Sequence, residues 1–280
     1  MSAASHPPAR RRLILNADDF GLSASANAAI VLAHREGLLT SASLMVNEPG
    51  FAEAVELAKA HPRLGVGLHL TLILGHSTLP PAEIPDLVND RGEFSNRPVR
   101  VGLDYFFKAQ LQPQLRDEIH AQFDKFHATG LPLDHVNAHL HLHLHPVIFA
   151  ILMEDHQLLD FHHLRLTRDS LSRSRQTTRG QWLYRLSHAA IYAWLSRRAL
   201  APLRERGIKH AQFTFGLLQN ARVDEAYLLK LLPLLPPGDS ELYSHPSLDN
   251  FTHEFNALVS PRVKESLSQL DIGLIRYQDL

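Results

Sequence analysis

Short apolar runs alternate with longer amphipathic stretches along most of this 280-residue chain. The runs at 13–17, 40–46, 64–70, 133–138, 163–167, 209–213, 241–244 and 272–276 read as strands. Between them the pattern predicts helices over 24–36, capped by Ser23 and stopped by Gly37, and over 51–60 after Pro49-Gly50. Further helices are expected over 113–128, from about His145-Pro146, over 223–232 and over 261–270. Strands that alternate with helices in this way indicate βαβ units around a parallel sheet. About eight strands in repeated βα order favour a closed or nearly closed (β/α) barrel, a TIM-like variant of seven or eight parallel strands, over an open doubly wound sheet. Two excursions break the rhythm, at 71–107 with its four prolines and at 168–206. The expected organisation is a polar leader over 1–12 followed by one barrel domain over 13–280.

Composition narrows the function classes. The chain has no cysteine, which excludes a thiolate nucleophile, a disulfide framework and any sulfur-ligated zinc. A formal charge of -1 and a pI near 7.0 give no global attraction to nucleic acid. The apolar run at 13–17 is too short for a signal-peptide core, and no stretch approaches the roughly 18 apolar residues of a membrane span. A cytoplasmic location is the resulting expectation. Histidine stands apart at 19 residues, many of them clustered.

The polar clusters fall at the ends of the apolar runs. Asn16-Ala17-Asp18-Asp19-Phe20-Gly21 places two adjacent carboxylates after the first strand, where they are costly unless a cation joins them. Gly67-Leu68-His69-Leu70 ends the third strand on an imidazole, and 134–146 alternates polar and apolar residues with period two. If that segment is extended, His139, His141, His143 and His145 share one face. Without cysteine, an Asp-His-His set is the natural cage for a divalent ion, Mg2+ or Zn2+. Asp19, His69 and His139 are the expected ligands, with Asp18 as general base toward a water of lowered pKa. Reach favours His139, while His141 and His143 stay open as alternatives for the third ligand. His245, in Glu241-Leu242-Tyr243-Ser244-His245-Pro246, is placed to protonate a leaving group, and Arg165 to hold an anionic intermediate or a sugar hydroxyl. A two-metal phosphoesterase and a non-catalytic carbohydrate- or metal-binding protein are the rival classes. The first lacks a second ligand set, and the second has no use for Asp18 beside Asp19 or for His245.

These segments resemble the YdjC-like, or ChbG-like, carbohydrate deacetylases. The resemblance is carried by NADDFG at 16–21, LTSASLMVN at 39–47, GLHLTL at 67–72, NAHLHLHLHP at 137–146, FTFGL at 213–217 and ELYSHP at 241–246. The branch associated with hopanoid biosynthesis, HpnK, is the most similar. The resemblance implies a variant (β/α) barrel, a metal held at Asp19, His69 and His139, a base at Asp18, and hydrolysis of an N-acetylglucosaminyl substrate. For the hopanoid branch that substrate is a lipid-linked amino sugar; soluble chito-oligosaccharides are the alternative. Many relatives open the fourth segment with aspartate and two adjacent histidines, where this chain has Asn137 and spaced imidazoles.

The 168–206 excursion bears on the same choice. It holds nine arginines against Asp169 and Glu205, together with Trp182, Tyr184, Tyr192 and Trp194. From about 180 onward it reads as a basic helix with a large apolar side, suited to peripheral contact with an anionic membrane or to a homodimer face.

Overall fold

A computed structural model of the chain describes residues 11–280. The leader expected over 1–12 therefore lies, for residues 1–10, outside the described residues, and Arg11 and Arg12 already open the first strand. Seven strands follow one another as β1 (Arg11–Phe20), β2 (Ser41–Leu44), β3 (Gly65–Leu70), β4 (Val136–Ala138), β5 (Phe213–Phe215), β6 (Gly238–Ser244) and β7 (Ile272–Leu274). The helices are α1 (Ala24–Arg35), α2 (Phe51–Ala60), α3 (Pro98–Phe107), α4 (Gln112–His127), α5 (Pro146–Glu154) and α6 (His156–Leu159). After these come α7 (Leu171–Thr177), α8 (Trp182–Glu205), α9 (Glu225–Leu231), α10 (Thr252–Leu258) and α11 (Pro261–Gln269).

Every ladder is parallel, in the order β4-β3-β2-β1-β6-β5, and β7 also pairs β1. The long β1 is the axis of the sheet. It runs against β6 from Arg11 to Ala17, against β7 over Arg11–Leu13, and against β2 at Asn16, Ala17 and Phe20. The closed barrel expected from the strand count does not form. The sheet is curled but open, a half-barrel whose end strands β4 and β5 share no ladder. Two isolated bridges, Val136↔Leu164 and His163↔Lys209, stand where a closing strand would lie. The apolar run at 163–167 therefore supplies bridges rather than a strand, and the run at 209–213 yields its strand only from Phe213. Apolar character alone does not close a ladder, because each bond needs a neighbour at one spacing and in register.

Alternation along the strands sorts the two faces. Leu13, Leu15, Ala17, Ala42, Leu44, Val66, Leu68, Leu70, Val136, Ala138 and Leu242 belong to the apolar core that the helices cover. The intervening positions carry Asn16, Asp18, Ser41, Ser43, His69, Asn137 and Glu241, all buried on the concave side. Small residues keep room there: at Gly67 a Cβ would overlap the carbonyl and ring of His135. The inner surface of the half-barrel is thus polar and fully enclosed, which is expensive unless each group is paired.

Candidate active site

The adjacent carboxylates reach the same imidazole because β1 is bulged at its end. Asp19 has φ 65°, in the left-handed region that Asp tolerates better than most residues, and Gly21 follows at φ 89°. The β1–β2 register shifts between Ala17 and Phe20 at this point. Side chains of strand neighbours normally diverge, and the bulge re-aims one of them. His69 Nε2 consequently stands 3.3 Å from Asp19 Oδ1, while its Nδ1 is 4.0 Å from Asp18 Oδ1.

Asp19, His69 and His139 bring their donor atoms within 4.8 Å of one another, and among the described residues they form the one such group of three or more. His139 Nδ1 lies 3.2 Å from the same Asp19 oxygen. His69 Nδ1 donates to Asn137 Oδ1 at 2.7 Å, which leaves the Nε2 lone pair facing the cluster. Two imidazole nitrogens and a carboxylate oxygen converging on one small volume fit a hard-to-borderline divalent cation. Burial alone would raise the Asp19 carboxyl, but its bonds to His139 and His69 outweigh that and hold it well below the usual range. The His139 imidazole is pulled in both directions, down by burial and, more strongly, up by Asp19.

The spaced histidines do not share a face. Residues 139–144 form a 3-10 turn in which Leu140 and His141 are left-handed, at φ 51° and 58°. This backbone sends each ring elsewhere. His141 Nε2 pairs with Tyr243 Oη at 2.9 Å, His143 Nε2 donates to the Arg165 carbonyl at 2.9 Å, and His145 Nε2 donates to the Gly102 carbonyl at 3.0 Å. Burial and the nearby Arg165 charge keep His143 neutral, its pKa lowered to about 3, and push His141 down as well.

Asp18 is held by a different set. Arg165 donates Nη1 to Oδ2 at 2.7 Å and Nη2 to Oδ1 at 2.8 Å, and Asn16 and Asn137 add bonds to Oδ1 at 2.9 and 3.2 Å. Desolvation would raise this carboxyl, but Arg165 and His69 overcome it and keep it ionised far below its ordinary value. Arg165 has no exposed surface; its Nε and Nη2 also meet Glu241 Oε1, and its guanidinium lies 4.6 Å over the Tyr243 ring. Glu241 is in turn bound by Tyr277 Oη at 2.5 Å and Thr214 Oγ1 at 3.2 Å. On the other flank Ser43 Oγ accepts from Asn16 and Asn137 at 2.9 and 2.8 Å and meets His135 Nε2 at 2.9 Å, and His135 Nδ1 pairs with Asp134 at 3.0 Å. One hydrogen-bonded network therefore runs beneath the site from β6 to β4.

His245 follows β6 and lies near enough to Asp18, Asp19 and His139 to interact with their charges. Its Nδ1 stands 3.5 Å from Glu254 Oε2, an ionic contact rather than a well-formed hydrogen bond, since that oxygen already accepts the His245 backbone N–H at 2.5 Å. Burial pulls its pKa down, but Glu254 and then Asp19 outweigh it and raise it to about 9. Glu254, fully buried on α10, is a participant that sequence reading missed, as are Ser43, Glu241 and the Asp134–His135 pair. The one available signal was indirect: an acidic residue in a short helix beside Phe255, Ala257 and Leu258.

Comparison with known proteins adds three findings. A family model described as YdjC-like protein matches residues 12–269. A carbohydrate deacetylase of Brevibacillus brevis is 46% identical over 143 residues, 51% of this chain and 54% of the relative. A chitooligosaccharide deacetylase of Proteus mirabilis is 39% identical over 145 residues, covering the same 51% and 54%. The chain thus spans about half the length of the curated relatives it matches. A crystal structure from Enterococcus faecalis V583, of a protein provisionally described as cleaving cellobiose phosphate, superposes with a TM-score of 0.73 at 22% identity. That superposition covers 96% of this chain and 98% of that one, and it speaks to the fold alone.

Proposed function

This chain belongs to the YdjC-like protein family, and from that premise we propose that it is a metal-dependent deacetylase of an N-acetylated amino sugar. The observation that carries the reading is the convergence of Asp19, His69 and His139 directly beside a second, separately held carboxylate, Asp18. Asp19, His69 and His139 would hold a divalent ion, Mg2+ or Zn2+, which when bound polarises the amide carbonyl and makes water a better acid.

The chain's own residues supply the rest. Arg165 keeps Asp18 ionised, and Oδ1 of Asp18 is saturated by three donors whereas Oδ2 receives one. The Asp18 carboxylate, beside His69, would take the proton of the attacking water. Arg165 and His69 keep that carboxylate in its charged, proton-accepting form, and a cation held by Asp19, His69 and His139 would make water a better acid. Arg165, buried and engaged on both sides, acts through Asp18 rather than on a substrate anion. His245, protonated up to about pH 9, donates to the departing amine. Glu254 orients that imidazole and sustains its charge.

The names of the curated relatives favour soluble chito-oligosaccharides as the substrate class. An N-acetylglucosaminyl lipid, such as the hopanoid precursor suggested by the branch resemblance, is the second reading. One observation favours it: Tyr192 Oη of α8 bonds the Leu140 carbonyl beside His139, and the outward side of that half of the helix is apolar. The test is release of acetate and free amine from N,N'-diacetylchitobiose and from an N-acetylglucosaminyl lipid, before and after chelation and readdition of Mg2+ or Zn2+. Turnover should vanish with chelator and return with metal, and Asp18→Asn should lose turnover while retaining metal by elemental analysis. Release of no amine from either substrate with any divalent ion overturns the proposal.

A further inference from the structure

Two helices beside the site expose apolar residues on a scale that folding alone does not account for. On α3, Val99, Leu103, Phe106 and Phe107 lie at i, i+4, i+7 and i+8, one stripe, and are 77%, 53%, 50% and 72% exposed. On α8, Trp182, Leu183, Leu186, Ile191 and Trp194 are 40%, 85%, 53%, 52% and 53% exposed. Single exposed leucines need no explanation, but contiguous patches of this kind mark contact surfaces.

The two stripes sit around the mouth. His145 bonds the Gly102 carbonyl of α3 and lies edge-on to Phe106, while Tyr192 and Tyr184 of α8 bond the Leu140 and Leu217 carbonyls. Leu140, itself exposed, follows His139 in the chain and accepts the Tyr192 bond. Charge along α8 is segregated by length. From Trp182 to Ser196 it has no carboxylate, and its one arginine there, Arg185, is buried. Arg197, Arg198 and Arg204 follow on exposed positions, and Arg175 and Arg179 are exposed upstream. The only carboxylate of the helix is Glu205, in its last position.

We propose that the outward faces of α3 and α8 dock this chain on an anionic lipid bilayer, with the apolar residues in the interface and the arginines on the headgroups. On α3 the flanking Arg100 and Lys108 pair with Asp104. Among the described residues, however, Arg175, Arg179, Arg197, Arg198 and Arg204 have no ion-pair partner, and an apolar patch with such cations is the complement of an anionic surface. A second copy fits less well, because a two-fold pairing through this face would set arginines against arginines. The contact is peripheral: among the described residues no helix is long and apolar enough to cross a membrane.

The full chain reports this contact itself, since its two tryptophans, Trp182 and Trp194, are both in the proposed surface. With vesicles of phosphatidylcholine and phosphatidylglycerol at low salt, the protein should co-float, shift its tryptophan emission to the blue and be quenched by brominated lipid. Pure phosphatidylcholine should bind it far less. Arg197→Gln with Arg198→Gln should weaken vesicle affinity about 30-fold, near fivefold for each charge removed from an anionic surface. Leu103→Ser with Phe107→Ser should also weaken it, which places α3 in the contact. Absence of binding to anionic vesicles at low salt overturns the proposal. So does a dimer by light scattering that dissociates in these same variants, because the face would then be covered by a second copy. Binding is read without turnover, so failure here leaves the deacetylase reading intact.

Discussion

The concave face of the sheet and the outward faces of α3 and α8 invert the ordinary distribution of polarity in opposite ways. Beneath the mouth, charged groups are buried completely: Arg165 and Glu241 have no exposed surface, and Asp18 has 3%. At the rim, Leu183 and Phe107 are 85% and 72% exposed. The interior can hold its charges because nearly every one is opposed and hydrogen-bonded. The rim gains nothing from folding for its exposed apolar area. The buried charges cost desolvation that their partners must offset, whereas the exposed apolar side chains leave folding stability nearly unchanged.

The sharpest way to break the comparison is to unpair the interior. Arg165→Met leaves Asp18 and Glu241 buried without their shared cation, and should destabilise the fold by about 3–5 kcal/mol, read by urea denaturation. If the loss is no larger than at a surface site, the network is not the buried ion cluster described here. Asn137→Leu is milder in stability but specific to the site. It removes the acceptor that fixes the His69 tautomer and should weaken divalent-ion affinity about 10–100-fold by calorimetry. Asn137→Gln or Asn137→Asp should recover part of the loss if the acceptor is what matters.

A third experiment uses pH. His245 is raised from 6.5 to about 9 in the folded chain, so its pairing with Glu254 stabilises the metal-free protein fully below about pH 6.5 and is lost as pH rises through about 9. Thermal melts in chelator should fall across that window. Glu254→Gln should flatten the fall, and in the loaded enzyme it should move the alkaline limb of turnover to lower pH. An unchanged alkaline limb would remove Glu254 from the acid's control. The smallest effect belongs to the rim: Leu183→Ser should alter stability by no more than about 0.5 kcal/mol, since that side chain packs on nothing it loses. A larger change would mean that the face is covered in the free protein.

Much of the framework was legible in the residue order. The helix read at 51–60 is α2 end for end, Ser23 caps α1 through the Ala26 N–H, and Ser260-Pro261 starts α11. Asp19, His69 and His139 were legible as a candidate metal set because cysteine is absent and each follows an apolar run, and the structure brings their donor atoms within 4.8 Å of one another. The extended histidine face was not borne out, since period two in sequence does not impose extended backbone. A single left-handed pair, Leu140 and His141, redirects every later ring.

The sequence by itself determined which residues are available for chemistry and the parallel βα order that carries them to one edge of the sheet. Both depend on local pattern, and local pattern acts within a few residues. Tertiary structure alone decided that the sheet stays open, that His139 is the imidazole that meets Asp19, and that Arg165 serves Asp18 from 147 positions away. Such pairings arise from register and curvature, where atoms distant in sequence must meet within about 3 Å, and no periodicity along the chain encodes that meeting.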